Sequence, residues 1–168
     1  MWKLMWKILK TGRLTEPVGV SSSKGSSNAV TPPEYRGSLA VRHVDAGSCN
    51  GCELELNALG NPYYSIESQG IKFVASPRHA DLLLVTGPVT CAMKEALKTT
   101  HAAVPSPKRV VAVGDCARNG GVFKESYAIV GGVDKVLPVD IHVPGCPPEP
   151  SAIIGGIRQA FESSPVKP

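Results

Sequence analysis

Short runs of apolar, mostly β-branched residues alternate along the chain with stretches of helical character. The extended runs lie at residues 39–45, 71–75, 81–86, 109–113 and 136–143. Helices are predicted from Glu53, over 90–103 and over 151–161. Strands that alternate with helices in this way are typical of an α/β fold, in which helices cover both faces of a mainly parallel sheet. The pattern predicts a flavodoxin-like domain over residues 37–162 and assigns no element to 120–134.

The first ten residues carry a separate, amphipathic pattern. Apolar residues recur there at helical spacing and lysines take the opposite face; they are Trp2, Met5, Trp6 and Leu9 against Lys3, Lys7 and Lys10. Tryptophans and lysines in this arrangement suit a lipid headgroup layer, and packing against a partner subunit explains the pattern equally well. The stretch is too short to span a bilayer and has neither the apolar core nor the cleavage site of a signal peptide.

Charge separates this arm from the folded part. Residues 1–42 carry a net charge of +5 and residues 43–168 one of −1, within a total of +4 over 168 residues. The serine-rich stretch after the arm indicates a linker, so we predict arm and linker at 1–36, the domain at 37–162 and a tail at 163–168. A slightly acidic domain without a basic, aromatic surface argues against nucleic acid as a partner.

Four of the five cysteines lie in predicted loops that follow strands. They are Cys49 and Cys52 after 39–45, Cys116 after 109–113 and Cys146 after 136–143. The carboxyl ends of parallel strands share one edge of the sheet, where such folds bind their ligands, so we expect these thiols to converge. Four soft thiolates suit a 4Fe-4S cluster. Glycines beside the cysteines, such as Gly114 and Gly121, would let backbone amides approach an anionic cluster.

Two other interpretations of the cysteines compete with a cluster. An odd cysteine count without a secretory signal argues against a disulfide framework. Zinc stays open, although zinc ribbons usually supply two close pairs. Here one pair is followed by single cysteines 64 and then 30 positions further on. A zinc-stabilised scaffold with a membrane-facing arm is therefore the alternative of a different functional class.

Four motifs together resemble a known family. They are Ser48-Cys49-Asn50-Gly51-Cys52-Glu53-Leu54-Glu55, Ser76-Pro77-Arg78-His79-Ala80-Asp81, Thr86-Gly87-Pro88-Val89-Thr90 and Val143-Pro144-Gly145-Cys146-Pro147-Pro148. They resemble the small, cluster-carrying subunit of membrane-bound nickel-iron hydrogenases of the formate-hydrogenlyase type, a superfamily that includes the 20 kDa subunit of complex I. The resemblance runs from about Val41 to Phe161.

The spacing of the first two cysteines distinguishes the branches of this superfamily. The complex I subunit carries two adjacent cysteines at this site, whereas Asn50 and Gly51 separate Cys49 from Cys52 here, as in the hydrogenase branch. The resemblance therefore favours a hydrogenase subunit, with the 20 kDa subunit of a NADH:quinone oxidoreductase as the alternative.

The resemblance implies a non-catalytic electron-transfer subunit of an oxidoreductase. One 4Fe-4S cluster would be held by Cys49, Cys52, Cys116 and Cys146 and would relay electrons to or from the active site of a partner. The implied partners are a nickel-iron large subunit (or a 49 kDa-like subunit of complex I), a ferredoxin-like iron-sulfur subunit and membrane subunits. The implied location is peripheral, on the cytoplasmic side of the cell membrane.

Glu53 and Cys91 complete the candidate residues. Glu53 is either a proton relay beside the cluster or a favourable charge in the first turn of a helix. Cys91 follows the run 81–86, but the family does not use this position, so we expect a free, buried thiol at the start of a helix. The four histidines show no ligand spacing and are predicted to be structural. The sequence has no Walker loop, nucleotide fingerprint or serine elbow, so we expect no activity from the isolated chain.

Overall fold

The computed structural model of the protein describes residues 2–11 and 38–162. The strands of these residues are β1 (Leu39–Asp45), β2 (Ile71–Phe73), β3 (Leu82–Thr86), β4 (Val89–Thr90), β5 (Arg109–Val113), β6 (Ile129–Gly131) and β7 (Ile141–Val143). The α-helices are α1 (Trp2–Thr11), α2 (Gly51–Ala58), α3 (Lys94–Ala103), α4 (Asp115–Asn119) and α5 (Pro150–Glu162). The predicted linker and the tail 163–168 lie outside the described residues, so the domain boundaries stay predictions.

Five strands form one parallel sheet in the order β2-β1-β3-β5-β7. Counted along the chain within this sheet, that order is second, first, third, fourth, fifth, which is the flavodoxin-like arrangement. The central β3 is buried along its whole length, which explains its continuous apolar sequence from Leu82 to Val85. The predicted fold class is confirmed.

Each face of the sheet packs on its own layer of helices. Successive side chains of a strand point to opposite faces, so Leu84 of β3 joins one core and Val85 the other. Helix α5 covers the first face with Ile157, next to α2, while α3 covers the second face with Leu97, next to α4. Because helices occupy both faces, the carboxyl edge of the sheet is the surface on which loops present side chains.

The last strand is shorter than predicted. We expected a strand over 136–143, but β7 covers only Ile141–Val143 and a short 3-10 turn occupies Val133–Lys135. Pro138 has no amide hydrogen to donate to β5. Regular pairing instead begins after Asp140, whose carboxylate accepts from the Val110 amide at 2.8 Å.

A small antiparallel pair replaces the start of the predicted helix over 90–103. Residues of β4 pair with β6, which lies in the segment 120–134 for which no element was predicted. Helix α3 therefore begins at Lys94, and the Thr90 hydroxyl accepts from the amide of Met93 at 3.2 Å just before it.

The predicted amphipathic arm is helical. Trp2, Met5 and Trp6 expose their side chains, and Lys10 places its Nζ 5.9 Å from the centre of the Trp6 ring. No helix in the described part of the chain is long and apolar enough to cross a membrane.

Candidate metal centre

The four predicted ligands all lie at the carboxyl edge of the sheet. Cys49 is in the loop after β1, Cys52 is in the first turn of α2, Cys116 is in α4 directly after β5, and Cys146 is in the loop after β7. The thiols of Cys52 and Cys116 are buried, while those of Cys49 and Cys146 are exposed. The topology thus brings together thiols that are far apart in sequence.

The thiols at this edge influence one another's pKa values. Burial is the largest cause that raises the pKa of Cys52 to about 12, followed by the charges of Glu53 and of the other three thiols. Burial also raises the pKa of Cys116, followed by the charges of Cys146 and Cys49. Four thiolates at this edge therefore disfavour one another, and a positively charged metal group is what would stabilise them together.

Backbone hydrogen bonds join the loop after β5 to the loop after β7. The amide of Gly114 donates to Val143 O at 2.8 Å, and the amide of Asp115 donates to Gly145 O at 2.9 Å. The Asp115 carboxylate in turn accepts from the amide of Gly145 at 3.1 Å. A hollow of about 290 Å³ beside these loops is lined by the thiols of both. This pairing fixes two of the four cysteine positions relative to each other.

Two glycines leave room for the sulfur atoms. Gly114 has φ +91, and a Cβ on it would lie 2.8 Å from Cys52 Sγ. Gly121 has φ +52, and a Cβ there would lie 2.6 Å from Cys116 Sγ. Both positions require glycine, because a residue with a Cβ would be strained at these φ values and its Cβ would collide with a thiol.

The donor set and the open hollow fit a bulky, sulfur-ligated group such as a 4Fe-4S cluster. Within residues 2–11 and 38–162, no three His, Cys, Asp or Glu side chains are arranged to hold one metal ion. The assignment of the four cysteines as ligands stays a prediction.

A partly buried hydrogen-bond network anchors the turn that carries Cys49 and Cys52. The hydroxyls of Ser48 and Thr86 both donate to the Glu53 carboxylate. His43 Nε2 lies 2.8 Å from Thr86 Oγ1 and 3.7 Å from Glu53 Oε1. The Ser48 hydroxyl also accepts from the amide of Asn50 at 3.0 Å. The network ties the cysteine turn to β1 and β3.

The network assigns Glu53 a positioning role, while the proton relay stays a prediction. Burial lowers the pKa of His43, although the nearby Glu53 charge opposes this shift. Thr86 was not predicted as a partner of Glu53. The sequence did carry a sign of this role, because Thr86 is a polar residue at the end of the otherwise apolar β3, directly before a glycine.

The prediction of a buried Cys91 at a helix start is wrong. Cys91 is exposed and lies in the turn between β4 and α3. Its amide donates to Ala128 O at 2.8 Å, and its Sγ lies 3.9 Å from Tyr127 O. Pairing of β4 with β6 draws this residue to the surface. Its charge is not among those that shift the pKa values of Cys52 and Cys116.

Two solved structures are similar to this chain. A chain of the membrane-bound sulfane sulfur reductase, an archaeal respiratory membrane complex, is 36% identical, with a TM-score of 0.65 over 74% of this chain and 69% of that chain. A chain of an NAD⁺-reducing [NiFe]-hydrogenase shares the fold, with a TM-score of 0.59, 18% identity and coverage of 77% and 94%.

Residues 49–160 match the model of the family described as NADH ubiquinone oxidoreductase, 20 Kd subunit. The chain belongs to this family, which confirms the predicted resemblance.

Relatives include components of both hydrogenases and quinone reductases. Formate hydrogenlyase subunit 7 of Escherichia coli is 43% identical over 86% of this chain and 57% of its own length. The probable membrane-bound hydrogenase subunit mbhJ of Pyrococcus furiosus is 50% identical over 73% of each chain. An NADH-quinone oxidoreductase subunit of Bacteroides thetaiotaomicron is 41% identical over 91% of this chain and 74% of its own length. The chain thus spans little more than half the length of its E. coli relative.

Proposed function

We propose that this protein is the electron-transfer subunit of a membrane-associated, formate-hydrogenlyase-like hydrogenase complex. It would hold one 4Fe-4S cluster with Cys49, Cys52, Cys116 and Cys146 and would not be catalytic by itself. The observation that carries the proposal is the placement of these four cysteines at one edge of the sheet, where two glycines without side chains leave room for the sulfurs of Cys52 and Cys116.

The residues of the chain have distinct tasks in this function. When bound, a 4Fe-4S cluster accepts and donates single electrons. The four thiolates would bind it, and the fold would keep their loops in register through the backbone bonds between the segments after β5 and β7. Glu53 would hold the turn of the first two ligands through Ser48 and Thr86.

The surface around the thiols supports docking of a large subunit. Leu54, close to Cys52 on α2, is 61% exposed, and Val122, near Cys116, is 82% exposed. Phe123 is partly exposed next to it. Apolar side chains at the rim of a redox site suit a protein interface that brings a second active site close and excludes water. The partner in this proposal carries nickel and iron, and further partners are a ferredoxin-like subunit and membrane subunits.

Helix α1 would attach the complex at the cytoplasmic face of the membrane. Its exposed tryptophans supply amphipathic rings and its lysines supply positive charge toward anionic headgroups. A membrane subunit could receive the same face, and both contacts place the protein peripherally.

Spectroscopy of the anaerobically purified protein tests the cluster. We expect about four irons and four labile sulfides per chain and one EPR signal after reduction, as Cys₄ ligation of a 4Fe-4S cluster requires. Cys116→Ser should weaken or convert the signal, and the matched control Cys91→Ser should leave it unchanged. A colourless protein with one zinc per chain would assign it to the scaffold alternative.

Metal analysis of the native complex tests the partner. A hydrogenase predicts nickel in the partner and loss of hydrogen turnover when any one of the four ligands is replaced, even with the nickel subunit fully assembled. The isolated chain should turn over no hydrogen. A partner without nickel, together with quinone reduction by the complex, would move the protein to the NADH:quinone oxidoreductase branch.

A further inference from the structure

A surface groove lies where β2 ends and β1 continues. Strand β2 pairs with β1 only as far as Phe73, which faces Val41, whereas β1 runs on to Asp45 beside β3. The amide of Val74 makes a last bond to Val41 O at 2.9 Å, after which the two segments separate. The gap is an open groove of about 380 Å³ between this segment and α2.

The groove contains an arginine with an unsatisfied donor. Arg42 lines it, and the Nε of Arg42 is buried without a hydrogen-bond acceptor among the described residues. None of the described residues that line the groove is acidic. A guanidinium provides five donors in a planar fork, and the described residues leave the Nε of Arg42 without an acceptor.

The rest of the groove suits a protein side chain. Phe73 lines it and is 40% exposed, and α2 contributes Leu56 and Asn57. His43 forms part of the lining, and its ring continues into the network of Thr86 and Glu53. A carboxylate on a short aliphatic stem would match both the cation and the apolar margin, because arginine prefers planar carboxylates that bind both arms of its fork.

We propose that this groove is a docking site for an acidic side chain, Asp or Glu, of a partner subunit, which pairs with Arg42. The inference rests on the proposed function only in that the chain works inside a complex. The site lies on the β2 side of the sheet, so it would add a second contact to the one around the four cysteines.

Assembly measurements on the complex test this proposal. Arg42→Gln removes the charge and keeps most of the side-chain length, Arg42→Lys keeps the charge without the fork, and Lys98→Gln on the exposed side of α3 is the charge-matched control. We expect Arg42→Gln to weaken association with the partner roughly tenfold or more, and Arg42→Lys to weaken it less. The control should assemble like the parent chain.

Stability of the free, full-length chain separates docking from a structural role. Because Arg42 Nε has no acceptor within residues 2–11 and 38–162, Arg42→Gln should keep the thermal midpoint and the iron content while it loses assembly. Unchanged assembly of Arg42→Gln would overturn the proposal, and so would a parallel loss of midpoint and assembly.

A photocrosslinker in place of Phe73 identifies the occupant. We expect crosslinks to a partner segment that contains Asp or Glu, and replacement of that acid by Arg should restore assembly of an Arg42→Glu variant. Crosslinks to a second copy of this chain or to lipid would overturn the proposal. A partner without nickel that still shows the Arg42 dependence would refute the hydrogenase assignment and leave the docking site intact.

Discussion

Replacing Gly114 by alanine is the sharpest test of the thiol arrangement. Gly114 follows β5 with φ +91, and its added Cβ would lie 2.8 Å from Cys52 Sγ and 3.5 Å from Gly145 O. Cys52 has little freedom to withdraw, since its side chain is buried and its Sγ lies 3.9 Å from Val113 O. The substitution therefore acts on the sulfur position and on the loop that precedes Cys116.

The expected effect is large for the addition of one methyl group. Non-bonded heavy atoms pack best at about 3.5–4.0 Å, so the new contact is about 1 Å too short. Gly114 has φ +91 and ψ 159, a region that is almost confined to glycine and costs a residue with a Cβ about 1–3 kcal/mol. Forcing an extra methyl into a packed site costs about 1–3 kcal/mol more. Together they give about 2–6 kcal/mol, and where this cost falls on the cluster-bound state it lowers cluster retention more than about tenfold.

Iron and labile sulfide per chain, with the EPR spectrum of the reduced protein, measure this effect. The control is Gly155→Ala in α5, where an added Cβ meets nothing within 4 Å. Alanine in a helix interior should stabilise the control by about 0.5–1 kcal/mol and leave its iron content unchanged. A Gly114→Ala protein with the full iron content and the parental spectrum would refute the arrangement of Cys52 and Cys116 described above.

Three further predictions concern the network, the arm and the histidine. Glu53→Ala should leave the hydroxyls of Ser48 and Thr86 without their acceptor and lower the free energy of unfolding by about 1–3 kcal/mol, measured by chemical denaturation. Glu53→Gln should lose less stability because it keeps an acceptor oxygen. Replacing Trp2 and Trp6 together by alanine should release the assembly from membranes more readily without changing its iron content; equal membrane retention would contradict the role of α1. Because burial lowers the pKa of His43, the unfolded chain takes up this proton first, so stability should fall as the pH drops below about 6.5. A His43→Gln chain should show a shallower decline.

Long, apolar elements were readable from the sequence. The strand predicted at 109–113 is β5 residue for residue, and the run at 81–86 loses only Asp81, whose carboxylate accepts from the amide of Ala40. Both strands lie inside the sheet, so burial on both faces leaves a continuous apolar signal. The same signal placed the cysteines at the strand ends and hence at one edge of the sheet.

Short elements and tertiary contacts were not readable in this way. Strands β4 and β6 have two and three residues, too few to show an alternating pattern, and their pairing decides that Cys91 is exposed. The acceptor role of Glu53 toward Thr86 joins residues 33 positions apart, and the groove at Arg42 exists only because β2 stops early. Such features depend on how elements pack, which no local pattern records.

The placement of the thiols also has a consequence for the order in which the protein matures. Strand β7 is three residues long, lies at the sheet edge and pairs only with β5 among the described strands, yet the loop after it supplies Cys146. Bringing residues as far apart as 49 and 146 to one edge of the sheet closes a long segment of chain, which costs conformational entropy. The full set of thiols therefore exists only after β7 has docked. Only a chain whose β7 has paired with β5 could then bind the cluster at all four cysteines. The bound cluster would in turn hold the loop after β7, and with it this edge strand, against the rest of the sheet.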